Sequence, residues 1–260
     1  MAYETIRTVV KGAAYVVQLN RPEKRNAVSE LMMDEIMSAC NEAADKPNVA
    51  AIVLTGGNEY FSAGADLNEA FEVKTATDGR RYFGHWHRLN DALEQSAKPV
   101  IAAIEGFCMT GGLELALAAD IRIGADGSTY AITSSRIGTV AGAGGTQRLP
   151  RVVGVAYALE MLFAAEPVDV DEAYRIGLIN KRTPAGGALP AAISLAEHYA
   201  TRAPLALAYV KRAVHRGVQM DLASAVEFET MLVTTVYGTK DKEEGIAAFL
   251  NKRQPNFGGV

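Results

Sequence analysis

The sequence predicts an α/β body followed by an all-helical segment, on three observations. Short apolar runs of strand length alternate with amphipathic stretches through the first 183 residues. From about residue 190, helical patterns near 190–202, 204–216, 221–236 and 241–251 follow one another with no strand between them. Within the first regime, Val100-Ile101-Ala102-Ala103-Ile104 passes through Gly106, Gly111 and Gly112 into Leu113-Glu114-Leu115-Ala116-Leu117-Ala118-Ala119. That is a buried strand, a tight glycine turn and a helix of good helix formers. The division this suggests is 1–190 for the α/β core and 191–260 for the helical segment.

The elements read in order as follows. Ile6–Val10 and Ala14–Leu19 form two strands joined at Lys11-Gly12. A polar loop, Asn20 to Asn26, carries three cations. Ser29 is placed to cap a helix whose buried face is Met33, Ile36, Met37, Cys40, Ala43 and Ala44. Ala50–Leu54 is a buried strand, and Phe61-Ser62-Ala63-Gly64-Ala65-Asp66-Leu67 a small-residue loop after it. Residues 68–96 read mostly as helix with a loose polar middle near 75–79, and His85-Trp86-His87 sits on it. Ile121–Gly124 and Thr129–Ile132 are strands. The run Gly142-Ala143-Gly144-Gly145-Thr146-Gln147-Arg148 opens a helix; helices over 155–164 and 170–176 and a strand near 178–183 complete the body.

Composition excludes several functions. The 260 residues are 49% apolar and 22% charged, ordinary for a soluble globular chain. A net charge of −4 speaks against general nucleic-acid binding. Two cysteines, Cys40 and Cys108, are too few for a disulfide framework or a zinc site, and with four histidines and no HExxH no metal is expected. No apolar run reaches the ~18 residues of a membrane span. The start, Met1-Ala2-Tyr3-Glu4-Thr5, does not read as a signal peptide, so a cytoplasmic location is expected. The glycine-rich run 142–148 lacks both the GK[ST] of a P-loop and the spacing of a dinucleotide fingerprint, which removes both nucleotide readings.

The glycine turn at 106–112 is the candidate place for chemistry. The first N–H groups of a helix have no partner inside it and lie at its positive end, which suits a negative oxygen. Glu114 follows Gly111 by three residues, so its carboxylate sits near the helix mouth. Two roles fit it: an acid/base beside an oxyanion donor, or a partner of the helix dipole. The histidines at 85 and 87 fit a partly exposed helix face.

Several stretches, in register along nearly the whole chain, resemble the crotonase (enoyl-CoA hydratase/isomerase) superfamily. They are Leu19-Asn20-Arg21-Pro22 with Asn26-Ala27, Phe61 to Leu67, Gly106 with Gly111-Gly112-Leu113-Glu114-Leu115-Ala116 and Asp120, and Gly138 with Gly142 to Leu149. Ala173 with Gly177-Leu178-Ile179-Asn180, and Phe249-Leu250 with Lys252-Arg253 and Pro255, complete the set. The resemblance implies a spiral of β-β-α units ending in a helical segment that builds trimers, often paired into hexamers. It implies an acyl-CoA thioester as ligand, with coenzyme A part of the substrate and no separate cofactor. It implies an oxyanion hole whose donors, by motif match, are the N–H groups of Ala63 and Gly111. The substrate is expected along Arg25, Ala63, Gly64, Ala65, Asp66, Leu67 and Gly111, with Lys24 and Arg25 toward the phosphates. Lys211, Lys252 and Phe257 are further candidates for CoA contact.

One departure stands out. Hydratases of this family pair the glutamate matching Glu114 with a second, twenty residues on. That place holds Ser134, within Ile132-Thr133-Ser134-Ser135-Arg136, and no carboxylate lies beside it. A hydroxyl can position a water but is a poor acid or base near neutral pH. The expected chemistry is therefore isomerisation, decarboxylation, hydrolysis or weak hydration, with Glu114 as the one acid/base and Ser134 beside it; the alternative is a catalytically weak acyl-CoA-binding protein.

Overall fold

The computed structural model describes residues 3–260. Met1 and Ala2, part of the stretch considered for targeting, lie outside the described residues. The chain opens with β1 (Ile6–Lys11), β2 (Ala14–Leu19) and α1 (Glu30–Ala44). Next come β3 (Ala51–Thr55), β4 (Tyr60–Ser62), α2 (Leu67–Phe71) and α3 (Ala76–Gln95), then β5 (Val100–Ile104), β6 (Phe107–Met109) and α4 (Gly111–Leu117). After them run β7 (Ile121–Ala125), β8 (Thr129–Ala131), α5 (Gly145–Val153), α6 (Val155–Ala164), β9 (Val168–Asp169), α7 (Val170–Arg175) and β10 (Lys181–Thr183). The chain ends with α8 (Ala188–Ala200), α9 (Pro204–Gly217), α10 (Leu222–Tyr237) and α11 (Lys240–Leu250).

The strands divide into two sheets, ordered β1-β2-β3-β5-β7-β10 and β4-β6-β8-β9. In each of the pairs β3–β4, β5–β6 and β7–β8 the first strand enters the large sheet and the second the small one, and helix follows. This is the expected spiral of β-β-α units. From β2 onward the large sheet is parallel. A parallel sheet is covered on both faces, which is why all five residues of β3 and of β5 are buried. Alternation sends Ile52, Leu54, Val100, Ala102 and Ile104 to one core and Ala51, Val53, Ile101 and Ala103 to the other.

The second core has its lid in α8. Ala188, Ala192 and Ala196 recur every four residues and are fully buried against the sheet. A boundary at 190 therefore falls inside a helix that belongs to the body, and only α9, α10 and α11 form the outlying segment. On that segment Val210, Val214, Val218, Leu222, Met231, Tyr237 and Phe249 are exposed.

Smaller expectations resolve locally. Ser29 caps α1, its Oγ accepting the Met32 N–H at 3.2 Å. Met32 and Ala39 join the buried face, whereas Ala44 is exposed. The long helix over 68–96 is two helices, and a reciprocal capping box between Thr75 and Asp78 starts the second. Both cysteines are buried and free, and burial raises both thiols. No described helix is long and apolar enough to cross a membrane.

Candidate functional site

Two loops meet between the sheets, and the residues that fix them explain the site. The first, Ser62 to Asp66, is pinned from below by Asn26, a buried residue at φ 54°. Its Nδ2 donates to the carbonyls of Gly56 and Phe61, and its own carbonyl accepts the Ser62 hydroxyl at 2.7 Å. Arg21 donates to the Ala27 carbonyl and pairs with Asp66 at 2.9 Å, while the other Asp66 oxygen caps α2 at Asn68. Asp66 reaches the cavity wall, but both its oxygens are occupied in holding the loop.

The amides of this loop are used unevenly. The Ala63 N–H donates to the Arg25 carbonyl at 3.0 Å. Val28 bridges the loop in parallel register: its N–H donates to the Gly64 carbonyl and its carbonyl accepts the Asp66 N–H. In such a bridge the middle residue turns its own N–H the other way, and the Ala65 N–H has no protein acceptor among the described residues. This corrects the expectation at Ala63: the free amide belongs to Ala65. Arg25 stands outside the cavity. Its carbonyl braces Ala63, and its side chain is exposed and not part of the cavity wall. Gly64, at φ 112°, serves the approach of the two loops, since a Cβ there would lie 3.3 Å from the Gly111 nitrogen.

The second loop enters α4 through Thr110 and Gly111. A Cβ on Gly111 would come within 2.9 Å of the Trp86 ring and 3.0 Å of the Ala65 nitrogen. Only glycine lets these two amides stand side by side. Thr110 holds φ 45° and ψ −114°, a conformation that costs an L residue on the order of 1–3 kcal/mol. The surroundings hold it there: its N–H donates to the Ala131 carbonyl at 2.7 Å, its Oγ1 accepts the Thr133 N–H at 3.3 Å, and its hydroxyl meets that of Thr133 at 2.9 Å. With seven residues α4 is short, so the local amides rather than a long dipole supply the positive end.

Glu114 is 3% exposed and lies at the inner end of a cavity of about 390 Å³. Its Oε1 accepts the N–H groups of both Ala143 and Gly145, each at 2.8 Å, leaving Oε2 for the cavity. Burial pushes its carboxyl up to about 7, against the pull of those amides and of Arg148. The glycine run 142–145 thus makes room for this contact, since a Cβ on Gly145 would sit 2.9 Å from Glu114 Oε1. Ser134 is buried and lines the same cavity, with no protein partner for its hydroxyl among the described residues. Among the described residues, Glu114 and Asp66 are the acidic residues of the wall, and of the two only Glu114 has an oxygen to spare.

The remaining candidates separate cleanly. Lys24 and Leu67 stand on the cavity wall. Lys211 does not: its ammonium is buried against the Leu93 carbonyl and Asp120 at 2.7 and 2.8 Å, where it joins α9 to the turn that follows α4. Phe257 packs near Gly245, and neither it nor Lys252 lines the cavity. His85 bonds to Asp34 at 2.7 Å and His87 is exposed, so neither fills the cavity. Trp86 between them does line it, with Tyr82 and Phe83 from the same helix. None of the three was singled out from the sequence; the helical spacing of Tyr82, Trp86, Leu89 and Leu93 is the signal that would have found that face. Thr110 and Thr133 left no such signal, because their role comes from a backbone conformation. No group of three or more metal-ligating side chains gathers among the described residues.

The family described as enoyl-CoA hydratase/isomerase matches residues 10–260. The crotonyl-CoA hydratase of Syntrophomonas wolfei is 36% identical over 259 residues, covering 99% of each chain. The mitochondrial enoyl-CoA hydratase of Pongo abelii is 37% identical over 93% of this chain and 82% of its own. Among solved structures, an enoyl-CoA hydratase from Bacillus anthracis superposes with a TM-score of 0.93 at 32% identity, over 99% of this chain and 100% of that one.

Proposed function

This chain belongs to the enoyl-CoA hydratase/isomerase family, and from that premise we propose that it acts on a 2-enoyl-CoA thioester with Glu114 as its single acid/base. The observation that carries the reading is the division of labour at Glu114: one carboxyl oxygen fixed by two amides, the other left to a cavity where the Ala65 and Gly111 amides also have no acceptor among the described residues. The thioester oxygen rests between those two amides. As water bonds to C3, Glu114 takes one of its protons and the C2=C3 electron pair moves toward the thioester, whose oxygen becomes negative. The amides stabilise that charge, a contribution worth roughly 10²–10³ in rate per donor. Glu114 then returns its proton to C2, so that one water has added across the double bond. A carboxyl near neutrality suits both halves of this exchange. Coenzyme A enters as part of the substrate, with Lys24 at the cavity wall for its phosphates.

With Ser134 where a second carboxylate would stand, hydration is slow, and proton transfer between carbons gains ground. That observation favours a second reading: isomerisation of a 3-enoyl to a 2-enoyl thioester, which needs one base and no water, or loss of a carboxyl group or hydrolysis through the same enolate. Product masses from a panel of acyl-CoAs distinguish hydration, decarboxylation and hydrolysis, and isomerisation, which leaves the mass unchanged, is read from the gain of conjugated-thioester absorbance with a 3-enoyl-CoA. The direct test follows the loss of conjugated-thioester absorbance with crotonyl-CoA. Slow loss with the wild type and faster loss with Ser134→Glu are expected, on the order of tenfold for an acid–base group gained in an imperfect fit. Fast hydration by the wild type overturns the limiting role of Ser134. The exposed apolar side chains of α9 and α10 support a homo-oligomer built on trimers; a light-scattering mass of one chain refutes it.

A further inference from the structure

Among the hydroxyl-bearing residues that line the cavity with Glu114 are Thr110, Thr133 and Ser134. The Glu114 N–H donates to the Thr110 carbonyl at 2.9 Å, so the two residues stand one helical turn apart on a single face. The Thr110 and Thr133 hydroxyls meet at 2.9 Å, and Thr110 Oγ1 also accepts the Thr133 N–H. Each hydroxyl has one proton. Whichever of the pair donates, one proton is used between them and one is left. Ser134 adds a hydroxyl with no protein partner among the described residues. The result is a neutral wall with protons and lone pairs to spare, held in place by a backbone conformation that threonine rarely adopts. Methylene groups alone would leave that wall unpaired. A small neutral group that both donates and accepts hydrogen bonds satisfies it.

We propose that Thr133, held by Thr110 and flanked by Ser134, positions the oxygen that bonds to C3: the attacking water in one direction, the product 3-hydroxyl in the other. The proposal rests on the hydration reading of Glu114 given above. Thr133 moves no proton; it orients the water whose proton Glu114 takes, and is a positioning residue.

Two rates measured on one protein test this. Hydration of crotonyl-CoA needs the Glu114 proton, the amide pair and an oxygen held over C3. Exchange of the C2 protons of butyryl-CoA with deuterated solvent needs the first two only. Thr133→Val keeps the side-chain shape and removes the hydroxyl, and the ratio of hydration to exchange is expected to fall by about tenfold. Thr133→Ser restores the ratio, and Thr133→Ala repeats the loss should valine disturb the loop. An unchanged ratio, or an equal fall in both rates, overturns the proposal. A wild type that exchanges but does not hydrate also overturns it while leaving Glu114 as the acid/base. A wild type that does neither overturns the reading of Glu114 itself.

Discussion

Glu105 and Glu114 begin alike and end differently. Both follow the central strand β5, both are nearly buried at 5% and 3% exposure, and both accept two backbone N–H groups. Glu105 divides them between its oxygens, Oε2 taking Gly186 and Oε1 taking Ala188 at the start of α8. Nothing of it is left over, and its work is to seat a helix. Glu114 takes both on Oε1 and keeps Oε2 for a cavity. Burial and bond count do not separate the two carboxylates; the oxygen that is left free does.

The comparison breaks most visibly at Glu114→Gln. Turnover is expected to fall by about 10²–10⁴-fold, since general acid–base catalysis contributes that much, while binding of an acyl-CoA measured by calorimetry stays close to wild type. A variant that keeps its rate would make Glu114 a second Glu105. The pH dependence of stability is the next largest effect. Burial holds the Glu114 carboxyl at about 7 against an ordinary 4.5, so the folded chain keeps a proton that the unfolded chain releases. The stability this proton supplies is complete below about 4.5 and is lost as pH rises through about 7, at most ~3 kcal/mol. Denaturant midpoints across that window should decline for the wild type and flatten for Glu114→Gln; parallel curves would count against a raised carboxyl. The smallest effect belongs to Glu105→Gln, which turns an amide NH₂ toward one of two N–H donors and should cost about 1–3 kcal/mol of stability. Activity per folded molecule should not change; a selective loss of turnover would erase the distinction between the two carboxylates.

Much of the frame was legible because period and length suffice for it. The strand Val100–Ile104 and the helix Val155–Ala164 stand where the pattern puts them. The strands β4 and β6 did not show, although β8, of the same length, did: both lie in stretches that read as loops, Phe61 in a small-residue loop and Phe107–Met109 in a glycine turn. At the site, Glu114 and Gly111 were visible from spacing. Ala63 in place of Ala65 shows where motif matching stops. Both are small residues in one loop, and only the partner of each amide, Arg25 for one and none for the other, tells them apart. Lys211 misled for a related reason: a cation in a helical pattern reads as available until the Asp120 beneath it is seen.

The burial of α8 over the large sheet has a consequence for synthesis. Until Ala188, Ala192 and Ala196 leave the ribosome, the alanines and valines of β2, β3 and β5 have no cover on one face. Until α9 follows, Asp120 lacks the Lys211 ammonium. The two cavity loops lie wholly upstream of these residues, yet their scaffold is covered only when the downstream helices arrive. Nascent chains of this kind expose apolar sheet surface while they wait. Stalled chains ending before α8 should therefore remain open to protease, and chains that have released α9 should resist it, so that the order of emergence, rather than the order of the motifs, times the appearance of the active conformation.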